Sequence, residues 1–255
     1  MLPVERQNKI LELLSTKNIL KIPEIVSEFN ISVETVRRDI NTLERHGKIE
    51  KVYGGIKLIS TNFGEPKIEN RMIDKIHIKD KIGCKCSEFI NDGDCIFIDS
   101  GSTTYQIAKH IKNKKNIIVV TNSLPVITEL IGSDIELIII GGKIRNTENS
   151  VVAYDYLFNF DQLNISKAFI GTSGITAKKG ISDYNMEEAL TRKKIIEISN
   201  KIYVAADSSK FGKDVTINIC SINKINYIIT DYLIDKEIIN KFESKNCQII
   251  STETL

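Results

Sequence analysis

The hydrophobic pattern at the start of the chain predicts three short helices. Apolar positions recur every three or four residues in each of them, which places one face of every helix in a core. The stripes are Ile10, Leu11, Leu13 and Leu14 in the first helix, Ile25, Val26 and Phe29 in the second, and Val33, Val36, Ile40 and Leu43 in the third. Ser32 can cap the third helix, because its hydroxyl can accept a hydrogen bond from a free amide of the first turn. Only Asn30-Ile31 separates the second helix from this cap, a spacing typical of a helix-turn-helix.

A basic hairpin is predicted directly after the third helix. Gly47 can end that helix, since glycine adopts the left-handed conformation of a helix end at little cost. Lys48–Tyr53 and Ile56–Ile59 are then two strands, joined by a two-residue turn at Gly54-Gly55. The pattern predicts a winged helix-turn-helix, an arrangement that reads double-stranded DNA.

Polar positions of the third helix and of the hairpin are the candidate DNA contacts. They are Ser32, Glu34, Thr35, Arg37, Arg38, Asn41, Lys48, Lys51, Tyr53 and Gly54. A charged helix face is more often only a solvated surface. The two upstream helices and their tight turn favour the DNA-binding interpretation.

From Cys95 onward, short apolar strands alternate with helices. The predicted strands are Cys95–Ile98, Ile117–Val120, Ile135–Ile140, Ala168–Ile170, Ile202–Ala206, Tyr227–Ile229 and an edge strand at Gln248–Ile250, and the helices are Thr104–Ile111, Leu124–Ile131, Glu187–Ser199 and Asp235–Phe242. This alternation predicts an α/β fold with a mainly parallel sheet that is covered on both faces.

A polar stretch separates the two patterns. Ser60–Pro66 combines Ser, Thr, Asn, Gly and Pro, which is typical of a linker. The helical pattern that follows, from about Ile68 to Ile90, is rich in charge and is expected to run along the surface between the two domains. The predicted organisation is a winged helix-turn-helix domain at residues 1–59, a linker at 60–74 and an effector-sensing α/β domain at 75–255.

Small polar residues follow five of the predicted strands. These loops are Asp99–Thr104, Thr121–Ser123, Gly141–Lys143, Gly171–Gly174 and Asp207–Lys210. In an open parallel sheet they lie at the carboxyl ends of the strands, where ligands bind. Gly101–Thr104 is the expected anion site, because glycine lets the backbone approach a ligand and the helix near Thr104 presents free amides. Lys143, Arg145 or Lys210 could complete the charge, whereas in any single loop Ser and Thr could simply cap a helix.

Composition restricts the setting in which these domains can act. The net charge of the 255 residues is only +2, so attraction to DNA must come from local placement. The segment from Arg37 to Lys57 contains six cationic and three acidic residues, an excess of three positive charges. The cationic residues are Arg37, Arg38, Arg45, Lys48, Lys51 and Lys57, and the acidic ones are Asp39, Glu44 and Glu50. Five dispersed cysteines and three histidines suggest reduced thiols and no metal site. With no signal peptide or membrane-spanning apolar run, we expect a cytoplasmic protein that binds no membrane and needs no cofactor.

Motifs in both domains resemble the DeoR family of bacterial transcriptional regulators. In the first domain these are Ser32–Ile40, Leu43-Glu44, Gly47 and Val52–Gly55, and in the second they are Ile98–Thr104, Val120–Ser123, Gly141-Gly142 and Ala206–Gly212. The resemblance implies operator DNA as partner and a sensor domain that is related in fold to ribose-5-phosphate isomerase and binds a phosphorylated sugar. It implies effector-binding roles for Asp99, Gly101, Ser102, Thr103, Thr104, Asn122, Gly141, Asp207 and Lys210. Repression of a carbohydrate operon, relieved by the effector, is the expected mode.

Two alternatives remain open at this point. One is a sugar-phosphate isomerase with a DNA-binding head, which needs a carboxylate base near the acidic C–H of the sugar. Related isomerases carry an acidic run where this chain has Gly171–Ile175, which contains no carboxylate. Asp183, Glu187 or Glu188 could take the place of the missing base. The two glutamates, however, are expected in the first turn of a helix, where they would face solvent. We therefore expect no enzyme activity.

The other alternative is a second domain that only oligomerises. A homo-oligomer, dimer or tetramer, is expected in either case, because helix-turn-helix heads usually read paired half-sites.

Overall fold

Separate hydrophobic cores divide the chain into two units, Met1–Gly64 and Glu65–Leu255. The computed structural model describes residues 3–17, 19–45, 49–52, 54–58, 66–153 and 159–254. Within these ranges, no helix combines the length and the apolar character that crossing a membrane requires.

The smaller unit is a winged helix-turn-helix, as predicted. Its elements are α1 (Pro3–Thr16), β1 (Leu20–Lys21), α2 (Ile22–Phe29), α3 (Val33–Arg45), β2 (Ile49–Val52) and β3 (Gly55–Leu58). β1, β3 and β2 form an antiparallel sheet in that order. Ser32 caps α3, since its Oγ accepts a hydrogen bond from the Thr35 amide at 3.3 Å. A buried ion pair between Arg6 and Asp39, 2.5 Å from Nε to Oδ2, joins α1 to α3.

Two details of the predicted smaller unit are wrong. Val33 is not a core residue: it is the first residue of α3 and is 39% exposed, and the buried stripe begins one turn later at Val36. Val52 pairs with Gly55, so the hairpin turn does not lie at Gly54-Gly55 as predicted. Gly55 belongs to β3, where a Cβ atom would lie 2.6 Å from the carbonyl oxygen of Leu20. Only glycine allows that approach of the two strands.

The larger unit is built on a parallel sheet that has seven strands within the described residues. They are β4 (Cys95–Ile98), β5 (Ile118–Thr121), β6 (Glu136–Ile139), β9 (Ile165–Ile170), β12 (Ser199–Ala205), β14 (Tyr227–Thr230) and β15 (Gln248–Ser251), in the spatial order β15-β14-β12-β9-β4-β5-β6. The helices are α4 (Ile68–Ile73), α5 (Ile76–Ser87), α6 (Thr104–Ile111), α7 (Leu124–Leu130), α8 (Met186–Ile198) and α9 (Lys236–Glu243). Within β4, Ile96 and Ile98 pack with α5, α6 and α7, whereas Phe97 packs with α8 and α9. The sheet is therefore covered on both faces, and the predicted α/β architecture is confirmed.

Five further strands form two small antiparallel sheets that the sequence pattern did not predict. β7 (Gly142–Arg145) and β8 (Ser150–Ala153) form a hairpin, so the Gly141–Lys143 stretch expected as a loop enters a strand. β10 (Gly174–Thr176), β11 (Gly180–Asp183) and β13 (Ile217–Cys220) form the second sheet. Both small sheets pack residues into the α8 side of the parallel sheet.

The helical pattern from about Ile68 to Ile90, expected along the surface between the domains, forms two helices that belong to the larger unit. α4 and α5 are separated at Asp74-Lys75, where Lys75 adopts a left-handed conformation with φ 52°. Gly83 of α5 lies so close to α6 that a Cβ atom would be 2.6 Å from the Cβ of Gln106. α5 is therefore a packed helix with Ile82 and Cys86 buried, and the prediction of a surface connector is wrong for it.

Candidate functional site

A cleft opens in the larger unit at the carboxyl ends of β4, β9 and β12. The loops that follow these strands line it, namely Ser100–Thr104, Gly171–Ser173 and Ala206–Lys210, and its volume is about 60 Å³. Three of the five predicted polar loops thus meet in one place, as expected for a parallel sheet. The other two, Thr121–Ser123 and Gly141–Lys143, do not line the cleft.

The loop between β4 and α6 presents free backbone donors to this cleft. The N–H groups of Gly101, Ser102, Thr103 and Thr104 donate to no other group in the part of the chain that the structure describes. The loop is held by the Thr104 hydroxyl, which donates to the carbonyl oxygen of Asp99 at 2.7 Å. Four free amides at the start of α6 form an arrangement that suits an anion.

Three basic side chains, Arg71, Lys79 and Lys210, line the same cleft. Lys79 is 3% exposed, and its ammonium donates to the carbonyl oxygens of Arg71 and Asp74 at the end of α4. Burial lowers the pKa of Lys79 to about 8, although nearby Asp207 opposes the change. Burial also lowers the pKa of Lys210. Lys210 forms no ion pair with any described carboxylate.

Arg192 of α8 is the centre of a buried ionic network next to the loop Gly101–Thr104. Its Nε donates to Asp99 Oδ2 at 2.6 Å and its Nη1 donates to Asp183 Oδ2 at 2.6 Å. Its Nη2 donates to the carbonyl oxygen of Ser100 at 3.2 Å. Asp99 also accepts hydrogen bonds from the amides of Ser100 and Gly171, so it ties two of the cleft loops together. Burial raises the pKa of Asp99 to about 6, and Arg192 opposes that rise.

Glu188 does not face solvent, contrary to expectation. It is 1% exposed and accepts hydrogen bonds from Ser100 Oγ at 3.2 Å and Ser150 Oγ at 2.5 Å. The reason is its place on α8, one turn before Arg192 on the same buried face. Arg145 of β7 also contacts Glu188, at 3.5 Å, and thus does not reach the cleft.

The candidate effector residues separate into those that line the cleft and those that support it. Gly101, Ser102, Thr103, Thr104, Asp207 and Lys210 line it. Asp99 and Asn122 lie behind the loop: Asn122 accepts a hydrogen bond from the Ser100 amide at 3.2 Å and donates to Val151 at 3.1 Å. Gly141 and Lys143 lie away from the cleft, and Lys143 pairs with Glu187 at 2.9 Å. Sequence reasoning missed Arg71, Lys79 and Arg192, and it considered Asp183 only as a possible catalytic base.

The candidate DNA contacts lie on the exposed side of α3 and on the hairpin. Arg37, Arg38 and Asn41 are exposed, as are Ser32, Glu34, Lys51 and Gly54, and Thr35 is half-buried. The Lys51 ammonium donates to Asn41 Oδ1 at 2.8 Å and to Glu44 at 2.6 Å, which joins the hairpin to α3. Lys48 and Tyr53, together with Gly47, lie outside the described residues.

Both units match models of one protein family. Residues 6–62 match the DeoR-like helix-turn-helix domain, and residues 74–232 match the DeoR C terminal sensor domain. The chain belongs to the DeoR family. This DeoR-family chain is therefore a transcriptional regulator with a DNA-binding helix-turn-helix unit and a sensor unit, and the cleft lies in the sensor unit.

Relatives of known name are similar along most of their length. The HTH-type transcriptional regulator IolR of Bacillus subtilis (strain 168) is 37% identical over 227 residues, which cover 89% of this DeoR-family chain and 90% of IolR. The glycerol-3-phosphate regulon repressor of Escherichia coli (strain K12) is 30% identical over 232 residues, or 91% and 92% of the two chains. Among solved structures, ribose 5-phosphate isomerase A from Methanocaldococcus jannaschii has a TM-score of 0.41 at 15% identity, covering 54% of this chain and 55% of that one.

Proposed function

We propose that this regulator is a cytoplasmic repressor of a carbohydrate operon, and that a phosphorylated sugar in the cleft releases it from operator DNA. The observation that carries the proposal is the meeting of four free amides, Gly101–Thr104, with Arg71, Lys79 and Lys210 in one cleft. Amides at a helix start and nearby cations together suit a phosphate dianion.

The polar groups around the cations suit the hydroxyl groups of a sugar. Asp183 and Asp207 line the cleft and can accept hydrogen bonds, and Thr172 and Ser209 add further polar groups. Carboxylates in the same cleft as the anion site would repel a second phosphate, because like charges at close range cost free energy. The proposed effector therefore carries one phosphate and several hydroxyl groups.

Effector binding is expected to weaken as pH rises through about 8. Lys79 has a pKa of about 8, because burial disfavours its charged form, and it loses its positive charge above that pH. A phosphate monoester has its second pKa near 6, so it is already a dianion there and its charge does not change. Calorimetric titrations between about pH 7.5 and pH 9.5 measure the effect, and Lys79→Arg, which stays charged, should remove the part of it that Lys79 contributes. An affinity that is constant across this range would contradict a contact between Lys79 and phosphate.

Thermal unfolding against pairs of sugar phosphates and their unphosphorylated parents tests the proposal. A ligand at about a hundred times its dissociation constant adds roughly 2.7 kcal/mol to the unit that binds it. We expect stabilisation only by phosphorylated members, and in Lys210→Ala an affinity about tenfold to a hundredfold lower, since a charged contact contributes about 1.5–3 kcal/mol. Lys201→Ala is the matched control, because Lys201 is exposed and lies at the other end of β12. Equal stabilisation by the unphosphorylated parents would overturn the phosphate assignment.

The proposed release from DNA depends on a difference in effector affinity between the DNA-free and the DNA-bound form. An effector that weakens operator binding must itself bind less well to the DNA-bound form. Gel-shift titrations with the identified sugar phosphate measure this directly, and we expect Lys210→Ala to bind operator normally and to respond to the effector only at higher concentration. We also propose that the active form is a homo-oligomer, at least a dimer. Light scattering of the purified chain measures its molar mass and so tests this.

Isomerase activity is the second candidate function, and the cleft carboxylates disfavour it. A general base needs a pKa near the working pH. Burial alone would raise the pKa of Asp207, but hydrogen bonds from Lys75 and Ser209 outweigh burial and hold it below its ordinary value. Asp183 is bound to Arg192 and to Ser173 Oγ. Incubation of the stabilising sugar phosphate with the protein, followed by NMR, should show no aldose–ketose interconversion.

A further inference from the structure

An apolar groove in the smaller unit lies between α2, α3 and the β2–β3 hairpin. Its volume is about 770 Å³, and Pro23 and Val26 of α2 form one wall of it. Val33, the first residue of α3, also lines the groove and leaves 39% of its surface exposed. Val33 is thus an aliphatic residue on the outer face of α3, whereas Val36, Ile40 and Leu43 supply the core.

The polar residues of the groove favour a polyanion as its occupant. Arg37 and Asn41 follow Val33 at intervals of four residues, so the three side chains lie in one row along α3. Both line the groove, and Lys51, whose ammonium also contacts Asn41 and Glu44, lines it from the hairpin. None of the described residues that line it is acidic. A row of one apolar and two polar side chains next to a lysine suits the edge of a DNA duplex better than an apolar protein partner.

We infer that Val33 contacts the C5-methyl group of a thymine in the major groove of the operator and so specifies that base pair. Residues at the N-terminal end of a recognition helix are those that reach base edges in helix-turn-helix proteins. An aliphatic side chain can distinguish thymine from the other bases there, because only thymine presents a methyl group in the major groove. The inference rests on operator binding by the helix-turn-helix unit, and it adds the identity of one contacted base and of the residue that reads it.

The test uses the full chain and an operator obtained from random duplexes by in vitro selection with the wild-type protein. Each thymine is then replaced in turn by deoxyuridine, which lacks only the methyl group, and affinity is measured by fluorescence anisotropy. We expect one thymine per half-site at which the replacement lowers wild-type affinity about fourfold, the factor for one buried methyl group. At that position Val33→Ala should bind the thymine and deoxyuridine duplexes equally. Ile19→Ala, which alters an exposed aliphatic residue of the same unit outside the groove lining, should remain as sensitive as wild type.

Two results would overturn the inference. Wild-type affinity could be unchanged by deoxyuridine at every position, which would exclude any methyl contact. Alternatively, Val33→Ala could keep the full sensitivity of the wild type, which would assign the contact to another residue. Failure of the wild-type chain to enrich any duplex would instead contradict DNA binding itself, so the two failures are distinguishable. Val33 is surface-exposed, so the variant should unfold at the wild-type temperature.

Discussion

Replacement of Arg192 by methionine is expected to lower the free energy of unfolding of the larger unit by about 3–5 kcal/mol. The guanidinium of Arg192 makes charge-assisted contacts of 2.6 Å with both Asp99 and Asp183, and all three side chains are buried. Methionine would leave two buried carboxylates without their cation, which costs far more than the loss of an exposed ion pair. Asp99 can reduce the loss by taking up a proton, so the effect should be smaller at low pH.

Urea unfolding followed by circular dichroism measures this loss, and hydrogen exchange of β4 and β12 assigns it to the larger unit. Lys143→Met is the matched control, since Lys143 also pairs with a carboxylate of α8, Glu187, but its side chain is 56% exposed. Its removal should change stability by less than about 1 kcal/mol. A loss in Arg192→Met no larger than that of the control would show that Asp99 and Asp183 do not depend on this cation.

The parallel sheet was predictable because its strands are buried on both faces and therefore form continuous apolar runs. Cys95–Ile98 has the predicted bounds, and the start of β14 at Tyr227 was also predicted. The strands of the small sheets are short and mix glycine with polar residues, as turns do. β11 and β13 pair residues such as Ser182 and Asn218, which are far apart in sequence, so no local pattern marks them.

The break between α4 and α5 could not be predicted, because neither glycine nor proline lies at Asp74-Lys75. Left-handed backbone is unfavourable for lysine. It is held by tertiary contacts: the Lys75 ammonium binds Asp207, which lies 132 residues away, and the Lys79 ammonium binds the carbonyl oxygens that end α4. The same contacts bring Arg71 and Lys79 into the cleft. The presence of Arg71 and Lys79 in the cleft therefore depends on a backbone conformation that the local sequence does not indicate.

The ionic network of Arg192 was missed although its signal is present in the sequence. Glu188, Arg192 and Ile195 recur at spacings of four and three, so one face of α8 holds both a core isoleucine and two charges. Charged residues at core positions of a helix indicate a buried ion network, because each needs a partner there. The loops Gly101–Thr104 and Asp207–Lys210, in contrast, could be predicted from the sequence to lie at one cleft. Both directly follow apolar strands, and the carboxyl ends of parallel strands meet at one edge of the sheet.

Operator binding is expected to fall by about a hundredfold or more when Arg37 and Arg38 are both replaced by alanine. Both side chains lie on the exposed face of α3, and each arginine contact with a base or phosphate contributes about 1–3 kcal/mol. Because neither residue is buried, stability and effector binding should remain at wild-type values. Lys9→Ala/Lys17→Ala is the control: it removes the same charge from the same unit, and both lysines are exposed residues of α1 or its end. Equal losses in the two double variants would show that net charge, rather than contact by α3, determines binding.

The salt dependence of the same titrations distinguishes two roles for these arginines. Each phosphate contact releases about one counterion, so the slope of log affinity against log salt should fall by roughly one for every phosphate contact that the substitution removes. A contact with a base edge leaves this slope nearly unchanged and instead relaxes the preference for one base pair. We expect a mixed result, because Arg37 lies in the row of Val33 and Asn41, whereas Arg38 lies one position further around α3. Single variants should then show Arg37→Ala losing base preference at nearly constant slope, and Arg38→Ala losing affinity for all sequences with a smaller slope.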